Sequence, residues 1–184
     1  LPHSLVSLRQ LYRDVYKPGR YQDLWFVWKG KPCIMAYPDN LTNDPVDREI
    51  AQFFTFRPGQ PDYVDGPKRN DQWGWLEMYP QHGYVPLAHR GYEQVTVGVA
   101  QNANPVSKGH CSAFNLPNAY GRNFTVQKGF DPRVEGYLYG WNFQEQWDRA
   151  IGMDPELIFV TGWNEYIAGM WLPKDNWTGD PFSF

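Results

Sequence analysis

The sequence predicts an α/β protein of the (β/α)8-barrel type, and two observations carry that prediction. Apolar runs of strand length alternate along the chain with helical patterns or long loops, as in parallel α/β folds. Each run also ends directly in polar, aromatic or Gly/Pro residues, and a parallel barrel collects its functional residues at the C-terminal ends of its strands. A doubly wound sheet follows a similar rule, but the sequence contains no Gly-rich phosphate-binding turn.

The first half of the chain contains two predicted helices and three predicted strands. A helix is predicted over residues 4–16, with Ser4 at its N-cap, because apolar residues recur there at three- and four-residue spacing. A second helix is predicted over residues 46–52, because Asp44-Pro45 combines a capping side chain with proline at the first helical position. The predicted strands are 33–37 (CIMAY), 53–57 (FFTFR) and 73–79 (WGWLEMY).

The second half contains two further strands and a third helix. The strands are residues 94–100 (QVTVGVA) and 157–161 (LIFVT), both rich in β-branched residues. The helix is predicted to begin at Asn142, with Glu145 completing a capping box. Its predicted apolar stripe is Phe143, Trp147 and Ile151.

The length of the chain limits how much of a barrel it can hold. A complete (β/α)8 barrel takes about 250 residues, whereas this chain has 184 residues and about five of the eight strands. The interpretation is one catalytic-type domain over residues 1–184 that contains a partial barrel. A partial barrel leaves unpaired sheet edges, so association with further copies of the chain is a possible consequence.

Composition excludes some classes of protein and favours carbohydrate as a ligand. A net charge of −3 argues against nucleic-acid binding, no apolar run is long enough for a membrane-spanning helix, and the first ten residues show no signal-peptide pattern. Nine Trp, twelve Tyr and eleven Phe accompany 17 Gly and 16 Pro. Polar-edged aromatic residues in loops are typical of sugar-binding clefts, although each ring alone is as easily a core residue.

Glu165 is the first catalytic candidate. It follows an apolar strand within the segment Trp163-Asn164-Glu165-Tyr166. A carboxylate beside an indole is partly desolvated, which raises its pKa and suits a general acid. The alternative is a structural carboxylate that pairs with an arginine at the rim of the barrel.

Glu77 is the second catalytic candidate and lies near the end of the predicted strand 73–79. Strands two places apart in a sheet are separated by about 10 Å. Side chains that lean inward from both would approach the roughly 5–9 Å carboxyl separation of glycosidases. Alternation along the strand would instead point Glu77 outward.

Other residues near strand ends are predicted to bind the substrate. Aromatic rings would stack on sugar rings, while amide and guanidinium groups would hydrogen-bond hydroxyl or acidic groups. These residues are Arg57, Trp75, His82, Gln101, Asn102, Asn104, Trp163, Asn164 and Tyr166.

No metal site and no cofactor is predicted, although calcium in the polar loops is compatible with the sequence. The histidines lack metal-ligand spacing, and neither HExxH, GxSxG, a Walker loop nor GxGxxG occurs. Three N-x-[ST] sequons, at Asn40, Asn123 and Asn176, would carry glycans only in a eukaryotic secretory protein.

The segment FVTGWNEY, preceded by the helix NFQEQWDRAI and a DPE turn, resembles the last barrel strand of glycoside hydrolases similar to families 99 and 71. KGKPCIMAYP, FFTFRPG, WGWLEMYPQHGY and EQVTVGVAQNAN resemble preceding strands of bacterial members, so the resemblance covers about residues 12–171 and a C-terminal portion of the barrel. It implies a (β/α)8 fold, action on polysaccharides or glycans, and a secreted or periplasmic location. The group's Asn-Glu pair corresponds to Asn164 and Glu165.

Two departures from the group's pattern limit what the resemblance implies. Tyr166 stands where the motif usually has Trp. The acidic ExxE pair of the endo-mannosidase members has no counterpart here, so mannosidase activity is not implied.

The predicted function is therefore a glycoside hydrolase that acts on a polysaccharide or glycan through paired carboxylates, Glu165 and Glu77. The alternatives are a carbohydrate-binding protein without activity and an inactive barrel fragment that needs partner chains.

Overall fold

The computed structural model describes residues 2–60, 64–99, 124–131, 133 and 135–163. The chain divides into two compact units between Gly59 and Gln60, and each unit has its own cluster of buried apolar side chains. Whether residues 1–184 act as one catalytic domain stays a prediction. The described residues contain three α-helices: α1 (Pro2–Leu11), α2 (Pro45–Phe53) and α3 (Trp141–Gly152).

The described strands are short. Those of the first unit are β1 (Val27–Trp28), β2 (Lys31–Ile34) and β3 (Thr55–Phe56), followed at the division by β4 (Gly59–Gln60). The second unit contributes β5 (Trp73–Gly74), β6 (Gly83–Pro86), β7 (Tyr92–Gly98), β8 (Phe124–Thr125), β9 (Gly129–Phe130) and β10 (Leu157–Thr161). Two-stranded sheets are formed by β4 with β5 and by β8 with β9.

The first unit is a three-stranded sheet with two helices. β1 and β2 are antiparallel, whereas β2 and β3 are parallel and follow each other through α2. The helix α2 begins as predicted, because the Asp44 carboxylate accepts a hydrogen bond from the Val46 N–H at 3.0 Å. Ile50 of α2 is fully buried and packs with Leu8 and Phe54 in the core of this unit.

The N-terminal helix begins earlier than predicted and ends as a wider turn. It starts at Pro2, so Ser4 is not its N-cap. After Leu11 the chain continues as one π-helical turn, Tyr12–Tyr16, in which the Lys17 N–H bonds the Tyr12 carbonyl at 2.8 Å. The predicted helical extent to residue 16 is confirmed.

A buried ion pair joins α1 to α2. Two guanidinium nitrogens of Arg9 each lie 2.7 Å from a carboxylate oxygen of Asp47, whose side chain is fully buried. Thr42 adds its N–H and its hydroxyl, both at 2.7 Å. The hydrogen bonds from Arg9 hold the pKa of Asp47 well below its ordinary value, and this outweighs the opposing effect of burial.

The second unit is centred on a sheet with the order β10-β7-β6. β7 and β10 are parallel, with Gln94 opposite Leu157 and Gly98 opposite Thr161. The helix α3 lies between these two strands in the sequence and packs against β7. The core cluster is Val95, Val97 and Ala150, with Phe143 and Trp147 against it.

The predicted (β/α)8 barrel, with about five of eight strands in this chain, is wrong. The described strands form separate sheets of two or three strands, and no closed barrel is present among them. The strand β6, which the sequence did not predict, is antiparallel to β7 and occupies the side where a parallel barrel needs a parallel strand. The predicted strand 73–79 contributes only β5, because Glu77 turns inward and bonds the chain that follows.

The predicted start of α3 is also wrong. The helix begins at Trp141 after Gly140, whose φ of 61° lies in the left-handed region that favours glycine. Asn142 is buried inside the first turn, and Glu145 accepts the N–H groups of Val126 and Gln127 instead of capping the helix. The predicted apolar stripe holds for Phe143 and Trp147, but Ile151 is 62% exposed.

Candidate functional site

The C-terminal ends of β7 and β10 lie side by side at one edge of the sheet. Gly98 pairs with Thr161, and the Val99 N–H donates to the Thr161 carbonyl at 2.9 Å, which extends the pairing one residue further. The predicted binding residues Gln101, Asn102 and Asn104 follow β7 in the sequence, and Asn164, Glu165 and Tyr166 follow β10. These six residues lie outside the described residues, so their predicted roles stay predictions.

The end of β7 is fixed by a buried glutamine of α3. Gln146 accepts a hydrogen bond from the Gly98 N–H at 2.7 Å and donates one to the Gly98 carbonyl at 3.0 Å. Asn142 and Gln81 bond the same amide group. Sequence analysis did not find Gln146, although a glutamine between the apolar Phe143, Trp147 and Ala150 was the available signal.

Two tryptophans predicted to bind sugar are exposed near this sheet. Trp163 follows β10 and is 60% exposed. Trp75 follows β5, is 46% exposed, and places its ring edge-on to Phe159 of β10, with ring centroids 5.9 Å apart. The structure therefore associates both rings with β10, although it gives no contact between them.

Glu77 is buried beneath the turn that follows it. Its side chain is fully enclosed, and one carboxylate oxygen accepts the His82 N–H at 2.6 Å. The other oxygen accepts a hydrogen bond from the Tyr84 hydroxyl and lies 3.3 Å from Nδ1 of His82. Both oxygens are thus held by the protein itself, an arrangement that fixes the turn and the strand β6.

His82 forms the outer side of the same cluster. The Glu77 carboxylate, with one oxygen 3.3 Å from Nδ1, raises the pKa of the imidazole, and this outweighs the lowering caused by burial. Gly66 packs against this imidazole so closely that a Cβ at Gly66 would lie 2.7 Å from two ring atoms. The structure therefore brings together two of the predicted site residues, Glu77 and His82, and adds Tyr84, which sequence analysis did not select.

Arg57 belongs to the first unit. Its backbone N–H bonds the Ile34 carbonyl at 2.9 Å, and its guanidinium donates to the Phe56 carbonyl at 2.8 Å. Trp75, Glu77, His82 and Trp163 belong to the second unit. The predicted binding role of Arg57 stays a prediction.

A cavity of about 640 Å³ lies between α3, the β8–β9 hairpin and Tyr79. Its lining includes three cationic and three acidic side chains: Lys128, Arg133, Arg149, Asp131, Glu145 and Asp148. Sequence analysis did not identify this cavity, because its walls come from three segments that are brought together only in the fold.

Trp141 is held in the wall of this cavity by a chain of contacts. Its indole N–H donates to Asp131 at 3.0 Å, and Asp131 also bonds Arg133. The Arg133 guanidinium lies 4.3 Å from the ring centroid of Tyr139, and Tyr139 stacks on Trp141. The hydrogen bonds from Arg133 hold the pKa of Asp131 far below its ordinary value.

Comparison with known proteins finds no matching family model, no matching curated protein and no matching solved structure. The resemblance to glycoside hydrolases therefore rests on the quoted motifs alone.

Two further observations concern the described residues only. None of their helices has the length and apolar character needed to cross a bilayer. Nor do their His, Cys, Asp and Glu side chains form a group of three or more that could hold a metal ion.

Proposed function

We propose that this chain hydrolyses glycosidic bonds in a polysaccharide or glycan outside the cytoplasm, with Glu165 as the acid–base residue. The observation that carries the proposal is the parallel, in-register pairing of β7 with β10. The two strands end side by side, and Gln101–Asn104 and Asn164–Tyr166 follow these ends in the sequence. Amide and carboxylate groups at neighbouring strand ends are what a sugar with several hydroxyls requires.

The exposed tryptophans supply the second half of a sugar site. In the proposal, Trp163 and Trp75 present indole rings to the C–H faces of the substrate, and Asn164 hydrogen-bonds a hydroxyl group. Both rings are exposed enough to make new contacts.

The contacts of Glu77 favour a positioning role over direct action on the substrate. A carboxylate that is 1% exposed and bonded on both oxygens has no free edge to present to a sugar. In the proposal, Glu77 holds His82 at the surface of the turn. His82 can then bind the substrate, as the sequence predicted.

Non-catalytic carbohydrate binding is the second candidate. It is favoured by the cavity beside Trp141, which combines a fixed aromatic ring with polar side chains. The predicted self-association depended on the unpaired edges of a partial barrel. Because the barrel prediction is wrong, that argument for self-association no longer applies.

The test measures reducing-sugar release and binding on a panel of polysaccharides. Hydrolysis by the wild type, with turnover lost and binding kept in Glu165→Gln, would support the proposed enzyme. Asp154→Asn, which changes an exposed carboxylate outside both proposed sites, is the matched control and should keep its turnover. Binding without turnover in the wild type would select the second candidate. A Glu77→Gln variant that folds and binds but does not turn over would assign Glu77 to catalysis instead.

A further inference from the structure

The three cations and three carboxylates that line the cavity between α3 and the β8–β9 hairpin are not all paired with one another. Asp131 is bonded by Arg133. The two oxygens of Glu145 accept backbone N–H groups from Val126 and Gln127. Asp131 is therefore neutralised by Arg133, whereas Glu145 keeps its charge but has both oxygens bonded within the wall.

Two cations remain available. Within the described part of the chain, neither Lys128 nor Arg149 has a carboxylate at ion-pair distance. Arg149 uses only its Nε, which lies 3.3 Å from the Gln81 carbonyl, so its two terminal nitrogens remain to be bonded. A planar fork of this kind matches the geometry of a carboxylate.

The rest of the lining suits the ring and hydroxyl groups of a sugar. Trp141 has a fixed orientation, because Asp131 holds its N–H and Tyr139 stacks on it. Tyr79 and Gln144 offer hydroxyl and amide groups, while the exposed Asp148 can accept hydrogen bonds from hydroxyls. The volume lies within the roughly 300–1,000 Å³ of small-molecule sites.

We propose that this cavity binds a uronic acid unit of a glycan, with the sugar ring against Trp141 and its carboxylate between Lys128 and Arg149. The proposal rests on the proposed function in taking a carbohydrate as the ligand. It adds the substrate class, an acidic glycan, and a binding site lined by α3 and the β8–β9 hairpin.

The test is calorimetric titration of the full chain with oligomers of galacturonate and of glucuronate. The matched ligands are the same oligomers with methyl-esterified carboxyls, which keep the ring and lose the charge. We expect the esters to bind about tenfold more weakly, because a charge-assisted hydrogen bond contributes roughly 1.5–3 kcal/mol.

Three variants locate the site. Lys128→Gln and Arg149→Gln should each weaken acidic-oligomer binding by about tenfold and leave ester binding unchanged. Lys31→Gln removes an exposed cation of the first unit and should change neither. Circular dichroism of each variant checks that its fold is intact.

Several results would overturn the inference. These are equal binding of acid and ester, no binding of either, or an equal loss in Lys31→Gln. Sulfated oligosaccharides without uronic acid units that bind as tightly as the uronates would overturn the choice of a carboxylate. Binding and hydrolysis are measured separately in this test. Acidic oligomers that bind but are not cleaved would count against the proposed hydrolysis and leave this binding site standing.

Discussion

Two carboxylates of the second unit satisfy the backbone of neighbouring segments. Glu77 accepts the N–H of His82, and Glu145 accepts those of Val126 and Gln127. Each therefore fixes the path of a turn. A buried carboxylate in such a position is costly to alter, because its donors then lose their only charged acceptor.

We expect Glu77→Gln to lower the free energy of unfolding by about 2 kcal/mol, since hydrogen bonds to charged groups contribute roughly 1.5–3 kcal/mol. The amide also presents N–H donors to groups that are themselves donors. Urea unfolding followed by tryptophan fluorescence measures the change.

The matched control for this variant is Glu49→Gln. Glu49 is half exposed and pairs with Lys17 at the surface, where ion pairs contribute little. Equal losses in the two variants would contradict the structural role of Glu77.

The stability that His82 contributes should depend on pH. Its pKa is raised in the folded protein by Glu77, so the protonated imidazole stabilises the fold. That contribution is complete below the pKa of the unfolded chain and is lost as the pH rises through the higher folded pKa. The difference in unfolding free energy between wild type and His82→Gln should therefore be larger at about pH 5.5 than at about pH 9.

Glu77→Gln supplies the control for this pH dependence. In the Glu77→Gln background, the loss of unfolding free energy caused by His82→Gln should no longer fall as the pH rises. A difference that grows with pH in the wild-type background would contradict the assignment.

At the scale of single elements, α1 and α2 depend on the pair Arg9–Asp47. Asp47 is fully buried, and its carboxylate accepts two hydrogen bonds from Arg9 and two from Thr42. The sequence pattern of α2 does not reveal that Asp47 joins the two helices, because this depends on its contact with Arg9 of α1.

We expect Asp47→Ala to destabilise the protein by about 2–3 kcal/mol, somewhat less than the roughly 3–5 kcal/mol for a fully buried pair because Arg9 is 35% exposed. Asp23→Ala, which removes an exposed carboxylate of the same unit, is the control and should have little effect. Urea unfolding again gives the comparison.

The same pair has a pH signature of opposite sign to that of His82. Because the pKa of Asp47 is depressed, its contribution is present above the ordinary aspartate range and is lost as the pH falls through the folded value. The deficit of Asp47→Ala should therefore shrink in acid, and a deficit that grows would contradict it.

Elements with local signals were predicted well, and elements made by distant contacts were not. The start of α2 follows from Asp44 and Pro45, which are adjacent in the sequence. The strand β6 has no β-branched alternation and exists because Tyr84 and Pro86 lie opposite Gln94 and Tyr92. The local sequence around Glu145 also fits a capping box, but in the fold its carboxylate accepts an N–H group of the β8–β9 hairpin.

The candidate site shows the same division. Trp163 was recognisable from its position after the apolar run 157–161, whereas Trp75 lies within the predicted strand 73–79. The bonds of Glu77 to His82 and Tyr84 depend on a turn whose path the sequence does not specify. The cavity beside Trp141 depends on three segments that meet only in the fold.

At the scale of the whole molecule, the chain has two separate apolar clusters, one in each unit. The first contains Leu8, Tyr12, Ile50 and Phe54, and the second contains Val95, Val97 and Ala150. A substitution in either cluster should destabilise first the unit that contains it.

We expect Ile50→Ala to cost about 3 kcal/mol, as large-to-small changes at buried positions do, and to speed amide hydrogen exchange chiefly in residues 2–59. Val97→Ala should speed exchange chiefly in the second unit. Hydrogen exchange followed by mass spectrometry reports both. Uniform acceleration across the chain in either variant would contradict this expectation.

The pairing of β7 with β10 also sets an order of events during folding. Leu157 pairs with Gln94, 63 positions earlier in the chain, whereas Tyr84 of β6 pairs with that same residue from only ten positions away. Closing the longer loop loses more chain entropy, and this loss precedes the contacts that stabilise the pairing. The β6–β7 hairpin can therefore assemble early, and the edge where the proposed sugar site lies is completed late.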